Sequence, residues 1–156
     1  MHIEGKALCL GPDIDTDVII AGRYLRTKDR KLWAKHVFED LDPTLAEKLQ
    51  GTILITGSNF GCGSSREQAA IALREAGVMG VVAPSFARIF FRNAVNVGLP
   101  VIECGCSCRD GVPVKADLEE GYIEIDGSRA VARRLSPRMI AILEAGGLVE
   151  FRRSRR

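Results

Sequence analysis

The spacing of apolar positions changes repeatedly along this chain, and each change marks an element. Ile3 to Leu10 alternates loosely, as a half-buried strand does, and Gly11-Pro12-Asp13 ends it. An acidic loop, Asp13-Ile14-Asp15-Thr16-Asp17, leads into Val18-Ile19-Ile20. Leu32, Trp33, His36 and Val37 fall on one side of a short helix over Lys31–Phe38. Asp42-Pro43 reads as cap and first residue of another, running through Leu45 and Leu49 to Gly51. Thr52–Thr56 is an apolar, β-branched strand, and Gln68–Ala76 is apolar nearly all round, which predicts a buried helix.

Val78–Ala83 is a continuous apolar strand, and Pro84-Ser85 opens a helix whose Phe86, Ile89, Phe90, Ala94 and Val97 recur at helical spacing. Gly98 stops it before a strand at Leu99–Ile102. Strands alternating with helices from 51 to 102 predict a parallel α/β core. Short strands follow at Val112–Val114, Tyr122–Ile125 and Ala130–Leu135, with Asp126-Gly127 as a hairpin turn. Ser136-Pro137 caps a last helix ending at Gly146-Gly147, and Leu148–Phe151 is expected to close the sheet as a strand. The predicted fold class is α/β: one domain over 1–151, a mixed sheet curled toward a barrel with flanking helices, and a basic tail over 152–156.

Composition narrows the classes. The chain has 156 residues, 46% hydrophobic and 27% charged, in the range of an ordinary soluble globular protein. No apolar run approaches the ~18 residues of a membrane span, and Met1-His2-Ile3-Glu4-Gly5 lacks a charged-then-apolar signal pattern, so the expected location is the cytoplasm. The net charge of +2 is small, and Arg152-Arg153-Ser154-Arg155-Arg156 is a solvated terminus or a strip for an acidic partner. Without basic patches interleaved with aromatics, neither nucleic acid nor membrane is an expected partner.

Five cysteines and no signal pattern argue against a disulfide framework. Cys104, Cys106 and Cys108 are spaced too tightly for the usual iron–sulfur or structural zinc patterns, although alternate thiols on an extended segment could bind a soft metal; small apolar filler is the favoured reading. His2 and His36 stand alone, with no cysteine or carboxylate at ligand spacing.

The chemistry concentrates at Gly57-Ser58-Asn59-Phe60-Gly61-Cys62-Gly63-Ser64-Ser65-Arg66-Glu67, between a strand and a helix. It is not a Walker-type loop, because Gly63 is followed by Ser64 and not by Lys. Arg66 stands where a dinucleotide fingerprint needs its third glycine, and neither serine has the flanking glycines of a nucleophile elbow. A site for carboxylate-type anions remains. Its glycines permit close backbone approach, its helix start supplies N–H groups, and Arg66 offers a two-pronged donor. Ser64 with Glu67 also fits a capping box, and two compatible readings of Ser64 follow: it holds the helix start, or it supplies a stabilised alkoxide there. The acidic loop lacks the glycine and closing glutamate of a calcium loop; its carboxylates stabilise a turn, pair with a cation or orient a histidine.

Gly57–Glu67 resembles the small subunit of the aconitase family, specifically the split isopropylmalate isomerases and archaeal-type homoaconitases. So do Asp15–Ile20 with Arg23-Tyr24-Leu25, the segment Ser85–Asn93, and Gly98-Leu99-Pro100. The resemblance implies a swivelling α/β domain that works beside a large subunit carrying a 4Fe-4S cluster, with no cofactor or metal held by this chain. It implies dehydration and rehydration of a di- or tricarboxylic hydroxy-acid. Ser64 would be the base that takes a proton from carbon, and Asp17 the acid that pairs with a histidine of the other subunit. Ser65, Arg66 and Gly63 would bind the substrate. Tyr24-Leu25-Arg26-Thr27 is similar to the family's specificity loop. There Arg26 would suit a third carboxylate, as on homocitrate, whereas an isopropyl group would favour an apolar residue. Isopropylmalate and homocitrate both stay open, and a stand-alone carboxylate-binding or regulatory module without catalysis is the rival reading.

Overall fold

A computed structural model describes residues 1–155. Seven strands form one mixed sheet: β1 (His2–Cys9), β2 (Thr52–Ile55), β3 (Gly80–Ala83), β4 (Val101–Glu103), β5 (Pro113–Asp117), β6 (Tyr122–Ile125) and β7 (Ser128–Val131). Their order is β4-β3-β2-β1-β5-β6-β7, and the sheet curls into a half-barrel. β1 to β4 pair in parallel, as the alternation of strands and helices predicts. β1 also pairs antiparallel with β5, which continues through two hairpin pairings to β7. β1 therefore joins the two halves. Every residue of β2 and β3 is buried.

Six α-helices accompany the sheet: α1 (Thr16–Ile19), α2 (Arg30–Lys35), α3 (Glu67–Glu75), α4 (Arg88–Val97), α5 (Pro137–Ala145) and α6 (Leu148–Arg153). Asp29 caps α2 and Ser136 caps α5 through their side chains, and Pro137 opens α5. At Asp126-Gly127 both residues take positive φ, the geometry of a type I′ hairpin turn. No helix among the described residues is long and apolar enough to cross a membrane.

Four expectations are corrected. Leu148–Phe151 is not a closing strand but the start of α6. Gly147, at φ 132°, turns the chain out of α5, and Phe151 then packs into the core one turn after the half-buried Leu148. The helix now includes Arg152 and Arg153, while Arg156 lies outside the described residues. The segment after Asp42-Pro43 holds only a 3₁₀ turn at Ala46–Lys48, because the Asp42 carboxylate accepts from the Thr44 backbone and hydroxyl and closes a local turn. The helix expected from Ser85 begins at Arg88, since Phe86 is bridged in extended form to Phe60.

The fourth concerns the cysteines. Cys9 and Cys108 form a disulfide, with Cα atoms 5.8 Å apart. Compartment and spacing argued against it, but tertiary pairing makes it. Just before β5 the chain is already bound to β1, through Gly111 N–H to the Ala7 carbonyl and Cys9 N–H to the Asp110 carboxylate, and this delivers Cys108 to the end of β1. Cys104 is buried and its thiol faces the Val131 carbonyl, while Cys106 is half-buried and burial first, then Cys104, pushes it up to about 11.

Leu54 is fully buried in β2, at the centre of the parallel half. Leu54→Ala should cost about 2–5 kcal/mol and lower the melting temperature by roughly 4–20 °C. Thermal unfolding of the two chains measures the difference.

Candidate active site

Parallel strands direct their carboxyl ends to the same edge of the sheet, and the loops leaving β1, β2 and β3 meet there. The loop after β1 provides Thr16. The turn after β2 provides Gly61 and Gly63 to Arg66, and the loop after β3 provides Ala87 to Phe90. Together they line a cleft of about 390 Å³. Two isolated bridges, Asp15–Cys62 and Phe60–Phe86, stitch the middle turn to its neighbours on either side. Phe60 is fully buried, edge-on to Phe90 at 5.1 Å and to Phe86 at 6.1 Å between ring centroids, so the base of the turn is held by packing.

Two glycines are required by contact. A Cβ on Gly61, at φ +82°, would enter the Phe90 ring, and one on Gly63, at φ +90°, would fall on the Asp15 carboxylate. Asp15 is occupied as the N-cap of α1, accepting from Asp17 N–H at 2.7 Å. Asp13 and Asn59, both at positive φ, are joined by Asn59 Nδ2 donating to Asp13 Oδ1 at 3.0 Å. The acidic loop's first two carboxylates therefore hold the turn in shape.

Ser64 is placed through its backbone. Its carbonyl accepts from Thr16 Oγ1 at 2.9 Å and from Arg66 N–H at 2.9 Å. The capping-box expectation is overturned: Arg66, in extended conformation, is the N-cap of α3, and no side chain caps that helix. The Ser64 and Ser65 hydroxyls make no hydrogen bond among the described residues, and both side chains are exposed at the cleft. The turn is one residue too extended for Ser64 to reach the first helical N–H groups. Its hydroxyl is left available for chemistry. The Cys62 thiol beside it is pushed up, by burial first and then by Asp15 and Asp13, which keeps it protonated.

Arg66 reaches across to Asp17, with Nη1 2.8 Å from Oδ1. The carboxylate lies off the N–H directions, so this is a charge contact, and buried Nη1 has no hydrogen-bond partner among the described residues. With Asp17 more than half exposed, the pair contributes on the order of 0–1 kcal/mol. Asp17 can exchange it for another cation at little cost. Ser64, Ser65, Arg66 and Gly63 line the cleft together, with Asp17 joined to it through Arg66.

Arg26 is not brought into this group. It is exposed in the turn after the 3₁₀ segment Gly22–Tyr24 and makes no ion pair among the described residues. Its loop does start beside the cleft, since Gly22 lies against the Arg66 guanidinium. Neither histidine is isolated. His2 Nε2 is 3.1 Å from Asp117, and His36 Nδ1 hydrogen-bonds Glu39 one turn later. Sequence reasoning missed Thr16, which is buried and orients the Ser64 carbonyl, and Arg88, an exposed cation on the cleft wall. Thr16 sits between two singled-out aspartates, but only the folded backbone shows its hydroxyl turning inward.

A strand–turn–helix site of this kind, at the carboxyl edge of a half-parallel sheet, defines a class of mixed α/β domain. Residues 13–104 match the family model for the aconitase C-terminal domain, and the chain belongs to that family. It is 51% identical over 96% of its length to a 3-isopropylmalate dehydratase small subunit from Methanopyrus kandleri, covering 91% of that protein. It is 48% identical over 94% of its length to a methanogen homoaconitase small subunit from Methanothermobacter thermautotrophicus, covering 88% of that one. The crystal structure of a 3-isopropylmalate dehydratase from Methanocaldococcus jannaschii superposes with a TM-score of 0.93 at 43% identity, covering 99% of this chain and 95% of its own.

Thr16→Val keeps the shape of the side chain and removes the bond to Ser64; it should cost about 1 kcal/mol of stability. Gly63→Ala should cost more, roughly 1–3 kcal/mol, because strain at positive φ adds to the collision with Asp15. Chemical denaturation of both variants gives the order.

Proposed function

We propose that this chain is the small subunit of a cytoplasmic hydro-lyase, active beside a large subunit, that isomerises a hydroxy-acid by removing and re-adding water. The observation that carries the reading is the free Ser64 hydroxyl, held by its own backbone in a cleft with Ser65 and Arg66. Ser64 takes the proton from the carbon next to the hydroxyl-bearing one, and the C–H electron pair becomes the double bond as the C–O bond breaks and hydroxide leaves toward the large subunit. Hydroxide then re-adds to one of the two carbons while Ser64 returns the proton to the other. Its alkoxide gains from unpaired N–H groups at the turn and from nearby Arg66. Arg66 and Ser65 bind a substrate carboxylate, for which unpartnered Nη1 and the second hydroxyl are suitable donors. Gly63 lets the substrate approach the backbone. Asp17, weakly held by Arg66, turns to a histidine of the large subunit on assembly.

No group of three or more His, Cys, Asp or Glu side chains among the described residues is arranged to hold a metal. Cys9 and Cys108 are tied to each other, and Cys104 and Cys106 remain. The family resemblance supports a cluster carried by the large subunit. There a 4Fe-4S cluster would supply Lewis-acid binding of the substrate hydroxyl and carboxylate. For the substrate, Arg26 favours a tricarboxylate such as homocitrate, while isopropylmalate is the dicarboxylate named for the Methanopyrus relative.

The assembled pair decides the matter. Ser64→Ala should assemble normally and lose about 10²–10⁴-fold in kcat; full activity in that variant sinks the assignment of Ser64. Arg26→Val should lose turnover of homocitrate and keep that of isopropylmalate. Tight binding of citrate-like acids by the chain alone, seen by calorimetry, would instead favour the non-catalytic module.

A further inference from the structure

The loop that presents Arg26 is fastened by one carboxylate outside the cleft. Glu39 accepts the Tyr24 hydroxyl at 2.5 Å and the Arg23 Nη2 group at 2.9 Å, and pairs with His36 Nδ1. Arg23 reaches Asp40 as well, at 2.8 Å, and its guanidinium lies 4.9 Å from the centre of the Tyr24 ring. The Tyr24 and His36 rings are stacked, with centroids 4.1 Å apart and planes within 8°. Trp33 adds a separate tie by donating its indole N–H to the Tyr24 carbonyl at 3.0 Å. On the far side, Thr27 Oγ1 accepts Asp29 N–H, and Asp29 caps α2. Both stems of the loop are therefore fixed. Between them Arg26 is exposed, while Arg23 is already neutralised by two carboxylates.

We infer that Glu39 is a positioning residue for substrate selection: with Tyr24, Arg23 and His36 it clamps the base of the loop so that Arg26 is the cation offered to the substrate. This rests on the proposed hydro-lyase reading. A loose loop would have to be ordered whenever a third carboxylate bound, and that ordering would weaken binding of the tricarboxylate specifically. A dicarboxylate, which does not need Arg26, would be little affected. The three donors also hold the Glu39 carboxyl down at about 2, Tyr24 contributing most, so the acceptor stays charged wherever the enzyme works.

Glu39→Gln keeps the shape and removes the charge, and Tyr24→Phe removes a single donor. Trp33 is the only tryptophan and is bonded to the loop, so acrylamide quenching of its fluorescence reads the clamp in the full chain. In both variants quenching should rise, and amide exchange over residues 23–28 should quicken by roughly tenfold. In the assembled enzyme the KM for homocitrate should rise about tenfold with kcat within about twofold, and the KM for isopropylmalate should stay within about twofold. Unchanged quenching and exchange in both variants would overturn the clamp whatever the activity. A loosened loop with an unchanged homocitrate KM would overturn its role in selection, provided Arg26→Val does raise that KM. If Arg26→Val also changes nothing, the substrate assignment fails and takes the selective role with it, and the exchange data still decide the clamp.

Discussion

The site depends on how closely two turns approach each other. Gly63 lies so near the Asp15 carboxylate that a single methyl group would separate them. That approach lets Thr16 reach the Ser64 carbonyl and lets Arg66 reach Asp17. It follows from the parallel pairing of β1 with β2, in register from Lys6–Thr52 to Cys9–Ile55, which delivers both strand ends to one edge. The bridge between Asp15 and Cys62 continues the pairing past the last regular residues. The cleft is thus an extension of the sheet, with packed phenylalanines beneath it, and its side chains are positioned by backbone contacts.

This construction separates stability from chemistry. Asp13, Asp15, Thr16 and Phe60 are spent on shape, each with its partner in the chain. Among the described residues the Ser64 and Ser65 hydroxyls and Arg66 Nη1 have none, and Asp17 is held by an exposed charge contact. An unpaired polar atom at a buried position is unfavourable by itself. Its persistence beside a shaped turn is what a surface awaiting both a substrate and a second subunit would show. The large subunit would complete a site that this chain leaves half built.

Much of this was readable along the chain because it depends on local rules. Strand β2, the glycine-rich turn and α3 follow from a β-branched run, glycines and an apolar helix in sequence, and the Asp126-Gly127 hairpin from two residues that tolerate positive φ. Errors arose where a local rule had competitors. Ser64 and Glu67 have capping-box spacing, yet the extended Arg66 moves the helix start past them. Leu148–Phe151 has strand-like composition, but Gly147 redirects the chain into a helix there.

Residue types and their spacing determined by themselves that this is an α/β chain with a glycine-rich turn carrying Ser64, Ser65 and Arg66, since periodicity and turn chemistry act within a few residues. Only tertiary structure decided that Ser64 is free of capping, that Cys9 and Cys108 meet across 99 residues, and that Glu39 gathers Tyr24, His36 and Arg23. Each of these depends on which distant backbone arrives alongside. That is set by strand order and register, which no local pattern encodes.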